Sequence, residues 1–310
     1  MYTFGPVPSR RLGQSLGVNN IPAKICTYAC VYCQIGRTLK LQVKRERFYK
    51  PAVVAGEVSR RLDELRAQGE TVDYITVVPD GEPTLDLGLG ELLSRFRDLG
   101  TPVAIITNSS LIWDPDVRAA LHQADWVSAK VDASTPEIWK RVDRPHGRLR
   151  FEDIQQGLLD FAWYYDGQLV TETMLVGELN DAPEVVEGVA RFLEKLRPAV
   201  AYLAVPTRPP AEPWVQRPSE ESLNRAYQIF TDHGLHAELL AGFEGDAFAS
   251  TGDARRDLLS ITAVHPMRAD QVAELLQKAN ADWSVVARLV EEGKLREVVY
   301  RGEKFYVRRF

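Results

Sequence analysis

Every thiol in the chain falls within eight residues. The stretch CTYACVYC (26–33) holds Cys26, Cys30 and Cys33, and a sequence of 310 residues has no other cysteine. Disulfides are a poor use of this arrangement. An odd count leaves one thiol over, and links between such close neighbours would close strained loops. A chain of this length also buries an ample core without covalent staples. Clustered thiolates suit a soft metal ion or an iron–sulfur cluster. Zinc would need a fourth ligand, and His122, His146, His233, His236 and His265 are all remote, none at a finger-like spacing. A four-iron cluster on three thiolates leaves one iron open, which is what a reactive site requires. The cluster is therefore the expectation, with zinc the alternative.

The spacing Cys26-x-x-x-Cys30-x-x-Cys33, with aromatic Tyr32 before the last cysteine, resembles the radical S-adenosylmethionine (radical SAM) superfamily. Flanking segments narrow the resemblance. FGPVPSRRLGQSLGVN (4–19), CVYCQIGRT (30–38) and PDGEPTL (79–85) look like a subgroup of iron–sulfur oxidoreductases related to the tRNA wyosine-base synthases. The resemblance covers roughly residues 1–250. It implies a 4Fe-4S cluster held by the three cysteines, with SAM chelating the open iron. It also implies reductive cleavage of SAM to methionine and a 5′-deoxyadenosyl radical, with flavodoxin or ferredoxin as electron donor.

Other polar signatures lie where strand-like runs end. PDGEP resembles the superfamily's Gly-Gly-Glu-Pro segment, so Gly81 and Glu82 are expected at the SAM amino group; Asp80 stands at the first glycine position. In TNSS (107–110), Asn108 and Ser109 offer donors and acceptors for a carboxylate or ribose, or else form a plain Asx turn. The period of two puts Ser128, Lys130 and Asp132 of SAKVD on one strand face. Lys130 can pair with the SAM carboxylate, serve as an active-site amine, or pair with Asp132; Ser128 or Asp132 can meet ribose hydroxyls. Glu172, in TETMLVG (171–177), is a carboxylate inside a strand and wants a partner, either substrate or a structural cation. Arg208, in PTRPPAEP, can reach an anionic substrate. His146, in RPHGRLR, reads as structural or anion-binding.

These signatures need elements to carry them. Strand-like runs fall at 15–22, 72–79, 102–108, 126–132, 168–176 and 200–206, with 235–240 as an added edge. Helical periodicity fills the intervals at 51–69, 87–100, 114–124, 135–142, 151–165, 182–196 and 218–234. Alternation at this spacing implies an α/β fold with a parallel sheet, wound by right-handed crossovers into a barrel or partial barrel. The loops after the strands' C-terminal ends then carry the chemistry. The resemblance implies a partial (βα)6 barrel, and six strands agree. The expected units are 1–250 as the barrel and 254–310 as a winged-helix-like domain of three short helices and a hairpin around Arg301-Gly302-Glu303. The segment 241–253, rich in small and turn residues, is the expected linker.

Composition is that of an ordinary globular protein, with 45% hydrophobic and 26% charged residues. No apolar run reaches the length of a membrane span, the N-terminus lacks a signal-like apolar region, and clustered reduced thiols fit the cytoplasm. The formal net charge is −5, yet local charge is basic. Segment 37–50 carries six Lys or Arg against Glu46, segment 141–150 four Arg against Asp143, and 254–310 eleven basic against eight acidic residues. These surfaces suit a phosphate-rich substrate, or are solvated faces.

The expected function is hydrogen abstraction by a radical SAM enzyme, with RNA the favoured substrate class through the basic rim and winged helix. No cysteine remains for a second cluster or for a methyl-accepting thiol outside the motif, which separates the chain from authentic wyosine-base synthases and from methyltransferases that need such a thiol. Two alternatives stand beside it: an activator that abstracts hydrogen from a glycine of a partner protein, and an iron–sulfur redox-sensing regulator.

Overall fold

A computed structural model describes residues 2–240, 250 and 252–309. The expected linker 241–253 lies for the most part outside the described residues.

The first strands are β1 (Thr3–Ser9) and β2 (Gly13–Val18), followed by the two-residue strands β3 (Ile25–Cys26) and β4 (Lys40–Leu41). Helix and strand then alternate: α1 (Pro51–Ala67), β5 (Tyr74–Val77), α2 (Leu89–Arg97), β6 (Val103–Thr107), α3 (Pro115–Leu121), β7 (Trp126–Lys130) and α4 (Pro136–Val142). The alternation continues through α5 (Phe151–Tyr164), β8 (Gln168–Met174), α6 (Pro183–Leu196), β9 (Val200–Ala204), α7 (Glu220–Asp232) and β10 (Ala237–Leu240). Helix starts are written locally. Pro occupies the first turn of α1, α3, α4 and α6, where its missing N–H costs nothing. Asp114, Thr135 and Ser219 cap α3, α4 and α7 through side-chain oxygens.

One eight-stranded sheet runs in the order β1-β2-β5-β6-β7-β8-β9-β10. Neighbours from β2 onward are parallel, and β1 is antiparallel to β2. The helices cover the outer face in a large core that includes Leu62, Phe96, Phe161 and Phe230. The inner face is graded by the two-residue period. Near the strands' N-terminal ends it is apolar, with Trp126, Val170, Val200 and Tyr202 in one cluster. Toward the C-terminal ends the same faces carry Ser128 and Lys130, then Glu172. All eight strands contribute a side chain to one cavity, from Phe4 on β1 to Leu240 on β10. A flat sheet cannot do this, so the sheet is curled into an open barrel.

The added edge strand expected at 235–240 is present, with Ala237–Leu240 parallel to β9, so the sheet has seven parallel strands. Two other expectations change. The first parallel strand stops at Val18, since Asn20 turns inward and donates to the Pro83 carbonyl at 3.0 Å. Strand β1 was absent from the expected elements; it carries Pro6 and Pro8, whose missing N–H groups an edge strand tolerates.

After the undescribed segment come α8 (Ala254–Val264), β11 (Met267–Arg268), α9 (Ala269–Lys278), α10 (Ser284–Glu291), β12 (Leu295–Tyr300) and β13 (Glu303–Arg308). The strands form an antiparallel sheet in the order β11-β13-β12. The three helices and the hairpin agree with the expected pattern. Phe4 and Val7 of β1 belong to the same buried cluster as Leu258, Ile261, Leu275 and Leu289, so this segment shares its core with the barrel's edge.

Candidate active site

The cysteines sit in a loop closed at its base. Ile25 and Cys26 pair with Lys40 and Leu41, and the Lys24 carbonyl accepts from the Leu39 and Lys40 amides at 3.1 and 3.0 Å. Inside the loop the Cys33 amide donates to the Cys30 carbonyl at 3.2 Å, which turns the chain so that all three thiols line the cavity. Each is half-buried. Burial pushes the Cys26 thiol up to about 12, with the Glu82 charge adding to it; burial and Asp143 push Cys30 well up, and burial raises Cys33. The thiols are thus protonated near neutral pH, and loading a metal must release those protons.

The loop after β5 is pressed against the cysteine loop. Gly81 has φ +153°, and a β-carbon there would run into the Ile25 carbonyl, so glycine is required by both conformation and space. The Glu82 amide donates to that carbonyl at 3.1 Å, and the Lys24 amide donates to the Asp80 carbonyl at 2.7 Å. Asp80 explains its own departure from glycine: its carboxylate pairs with Lys24 at 3.3 Å, and Lys24 also donates to the Ile35 carbonyl. Burial outweighs Lys24 and raises Asp80 to about 6.

Glu82 is 1% exposed. Its carboxylate accepts from Thr84 Oγ1 at 2.5 Å, Thr107 Oγ1 at 2.7 Å, and the Thr84 and Asn108 amides at 3.0 and 2.8 Å. It therefore ties the end of β5 to the end of β6, with Oε2 holding only one of these bonds. Burial raises its pKa and these donors work against the rise. Asn108 Nδ2 donates to Thr27 Oγ1 at 2.8 Å and lies 3.5 Å from Cys26 Sγ.

Across the cavity, register places Lys130 directly opposite Glu172. Lys130 Nζ is 2.7 Å from one carboxylate oxygen of Glu172, and Arg11 Nη1 is 2.6 Å from the other. The Arg11 guanidinium also lies over the rings of Trp126 and Tyr202, at 5.7 and 5.6 Å. Burial opposes the charge on Glu172, but Lys130 and Arg11 outweigh it and hold its pKa at about 2. Burial likewise opposes the charge on Lys130, and Asp132 and Glu172 keep its pKa above the ordinary value. Glu172 and Asp132 balance the two cations, but Lys130 and Arg11 keep N–H donors beyond their bonds to Glu172. Behind this group, Tyr32 donates to Asp132 and its ring is 4.8 Å from Lys130 Nζ. Burial and Asp132 push Asp143 well up, and Asp143 lies 3.4 Å from Cys30 Sγ.

The remaining wall comes from the distal parts of the chain. Arg208, after β9, donates to Gln34 Oε1 at 2.7 Å and lies 3.0 Å from His265 Nε2. His265, just past α8, is buried, and burial together with Arg208 drives its pKa well down. Its Nε2 is thus the acceptor, because a guanidinium only donates.

The cavity encloses about 330 Å³, within the range of small-molecule sites. Gly81, Glu82, Asn108, Lys130, Glu172 and the three cysteines line it. Ser109, Ser128 and Asp132 do not, contrary to expectation. Ser109 has φ +64° and a buried hydroxyl; Ser128 Oγ lies deeper, 3.4 Å from Arg11; Asp132 lies past the end of β7 and accepts from Tyr32 and the Met174 amide. The expected Lys–Asp pair is a Lys–Glu pair. Arg11 was noted only as a basic residue upstream of the cysteine loop and His265 only as a remote histidine, since neither has a periodic or motif signal. Arg45, read as a rim charge, is instead built in: it donates to the Thr84 carbonyl at 3.0 Å and pairs with Asp114 at 3.3 Å. His146 Nδ1 accepts from the Arg148 amide at 3.2 Å, a turn contact.

The donor set fits an iron–sulfur cluster with one open iron better than zinc. Three thiols face one cavity, but no three His, Cys, Asp or Glu among the described residues are arranged to hold a single ion. A cubane takes its thiolates at separate iron corners. The spare N–H donors of Lys130 and Arg11, which line the cavity with the thiols, fit a small ligand that carries a carboxylate.

An open α/β barrel with three thiols at the mouth defines the class, and the comparisons agree. Residues 20–195 match the profile of the Radical SAM superfamily, and the chain belongs to that superfamily. It is 43% identical over 307 residues to a UPF0026 protein of Methanocaldococcus jannaschii, covering 98% of this chain and 95% of that one. It is 22% identical over 240 residues to the ribosomal RNA large subunit methyltransferase N of Nitrosopumilus maritimus, covering 76% of this chain and 66% of that one. Among solved structures, a radical SAM methyltransferase from Sphaerobacter thermophilus shares the fold, with TM-score 0.53 and 18% identity over 73% of this chain and 66% of that one. Among the described residues no helix is long and apolar enough to cross a membrane.

Proposed function

We propose that the chain is a radical SAM enzyme of oxidoreductase type that abstracts hydrogen from an RNA substrate. The observation that carries the chemistry is the convergence of Cys26, Cys30 and Cys33 with the Arg11–Glu172–Lys130 group on one cavity. Bound there, a 4Fe-4S cluster and SAM supply one-electron cleavage and a 5′-deoxyadenosyl radical, with the electron delivered by a flavodoxin- or ferredoxin-like donor. The three thiolates would hold the cluster. The Gly81 backbone admits a ligand close to it, and Asn108 presents its amide beside Cys26. Arg11 and Lys130 offer their remaining N–H donors to a carboxylate while Glu172 keeps them fixed. Apolar walls such as Phe4, Ile106 and Met174 keep water from a radical.

RNA as substrate is supported by the basic segments and by the RNA-directed activity for which the methyltransferase relatives are named. All cysteines stand in one loop, so no second thiol is present as a covalent carrier, and the reading takes from those relatives the substrate class rather than the methyl transfer. We read 254–310 as a winged-helix-like unit, because its elements run α8-β11-α9-α10-β12-β13 with a hairpin turn at Arg301-Gly302, and 1–250 as the barrel. The test is anaerobic reconstitution followed by detection of 5′-deoxyadenosine after chemical reduction with SAM. About four irons per chain are expected, with cleavage lost on replacing any of the three cysteines by Ala. Bound zinc with no iron uptake overturns the reading.

A further inference from the structure

A second recess opens on the same rim of the barrel. Its walls are the end of α4, the loop after β8 and the loop between β9 and α7, and it encloses about 870 Å³. Lys140, Arg141, Arg144 and Arg217 line it against Glu178 and Asp181. Asp181 already accepts from the Glu178 amide at 2.8 Å. Arg144 is 2.7 Å from Glu212, which Arg37 also approaches at 3.2 Å. Among the described residues neither Lys140 nor Arg141 makes an ion pair. Burial and the charge of Arg301, at the hairpin turn, both lower Arg217, so two guanidiniums there feel each other. Trp214 stands in this wall with 51% of its surface exposed.

The recess adjoins the cysteine loop. Leu179 of its lining packs against a buried cluster of Val31, Tyr32, Val142, Val176 and Val215, and Cys30 packs against the same cluster. This apolar cluster thus links Tyr32 and Cys30 of the reaction cavity to Leu179 of the recess.

We infer that this recess holds a single-stranded segment of the RNA substrate, its phosphates on Lys140, Arg141 and Arg217 and a base stacked on Trp214. The inference rests on the RNA reading of the preceding section and gives it a place. Surplus cations select a polyanion. An exposed indole in the wall adds what a phosphate alone does not need, a flat π surface of the kind that stacks bases in sequence-tolerant fashion. A concave site suits a strand entering it better than the convex face of an acidic globular protein. The placement lets one RNA be gripped outside the cavity while a neighbouring nucleotide is presented at the thiol side.

The experiment is fluorescence anisotropy of labelled single-stranded oligouridylate on the cluster-loaded full chain, titrated across salt concentrations. Trp214→Ala should weaken affinity by about fivefold or more without changing the salt slope, and Trp214→Phe should restore most of it. A Lys140→Glu/Arg141→Glu double variant should weaken binding and flatten the slope of log affinity against log salt by about 0.7 for each phosphate no longer neutralised. A Lys44→Glu/Arg47→Glu variant on the other basic segment separates the two ideas. If that variant loses RNA while the recess variants bind as wild type does, the recess inference falls and the RNA reading stands. If wild type binds no oligouridylate, both fall. If the recess variants keep RNA affinity but slow reduction of the cluster by an acidic flavodoxin, the recess serves a protein partner and the inference is overturned.

Discussion

The reaction cavity and the outer recess both carry basic side chains, and they are built in opposite ways. In the cavity, the Arg11 and Lys130 side chains are 12% and 17% exposed and meet Glu172 at 2.6 and 2.7 Å, and Lys24, at the base of the cysteine loop, is 8% exposed and 3.3 Å from Asp80. In the recess, Lys140 and Arg141 are exposed, and no ion pair holds them among the described residues. Buried charges must be neutralised where they stand, so their partners are part of the fold. Exposed charges are solvated, and stability is nearly indifferent to them. Substitutions in the cavity should therefore move stability and activity together, whereas those in the recess should move binding alone.

The sharpest way to break this contrast is Glu172→Ala. It removes the one carboxylate that bridges Lys130 and Arg11, leaving Lys130 with Asp132 alone and Arg11 without its ion pair. Loss of one partner from a buried pair costs about 3–5 kcal/mol, and here both cations lose that partner. A large drop in the urea midpoint is expected, together with loss of SAM cleavage. Lys140→Ala should stay within about 0.5 kcal/mol of wild type. Equal stability of the two variants would remove the distinction between the regions.

The same contrast recurs inside one basic segment. Lys44 is exposed, whereas the Arg45 side chain is 11% exposed and joined to Thr84 and Asp114. Arg45→Ala leaves the Thr84 carbonyl without that donor and Asp114 without its cation, and should cost about 2 kcal/mol. Lys44→Ala should cost about 0.5 kcal/mol or less. Thermal unfolding of the two variants side by side makes the check; a Lys44 effect equal to that of Arg45 would mean that the segment acts as one charged surface.

Nothing in the sequence separates Lys44 from Arg45, and that marks where sequence reading ends. The cysteine loop was legible because its chemistry is local: three ligands within eight residues. The helices were legible because Pro and the capping side chains mark their starts, and the polar strand ends because loops after parallel strands carry sites. Glu172 was marked as a carboxylate in need of a partner, but Arg11 is 161 positions away and only the curl of the sheet brings it there. Glu82 was legible as a site residue, yet its four donors come from Thr84, Thr107 and Asn108, which pairwise periodicity does not join. Strand β1 was missed; it carries prolines, which an edge position permits.

The smallest expected effect around the cysteine loop comes from the pH dependence of Asp80. Its folded pKa is about 6 against an ordinary 3.8, because burial outweighs the Lys24 ion pair. A pKa raised on folding means that the folded state holds the proton more tightly than the unfolded one. The contribution is fully present below the unfolded value and is lost as pH rises through about 6. Asp80 should thus favour the folded state more at pH 4 than at pH 7, by an amount on the order of 2 kcal/mol. Asp80→Asn removes the titration while keeping the shape. The stability difference, wild type minus variant, should therefore fall between about pH 4 and pH 6 and level off above. Urea unfolding of both proteins at closely spaced pH values measures it. A difference that instead grows with pH would mean that Lys24 dominates after all, so that the ionised pair stabilises the loop that carries the thiols. Asp80 would then join Glu172 as a carboxylate held charged by its cations, and the cysteine loop would be secured by attraction at its base rather than by close packing alone.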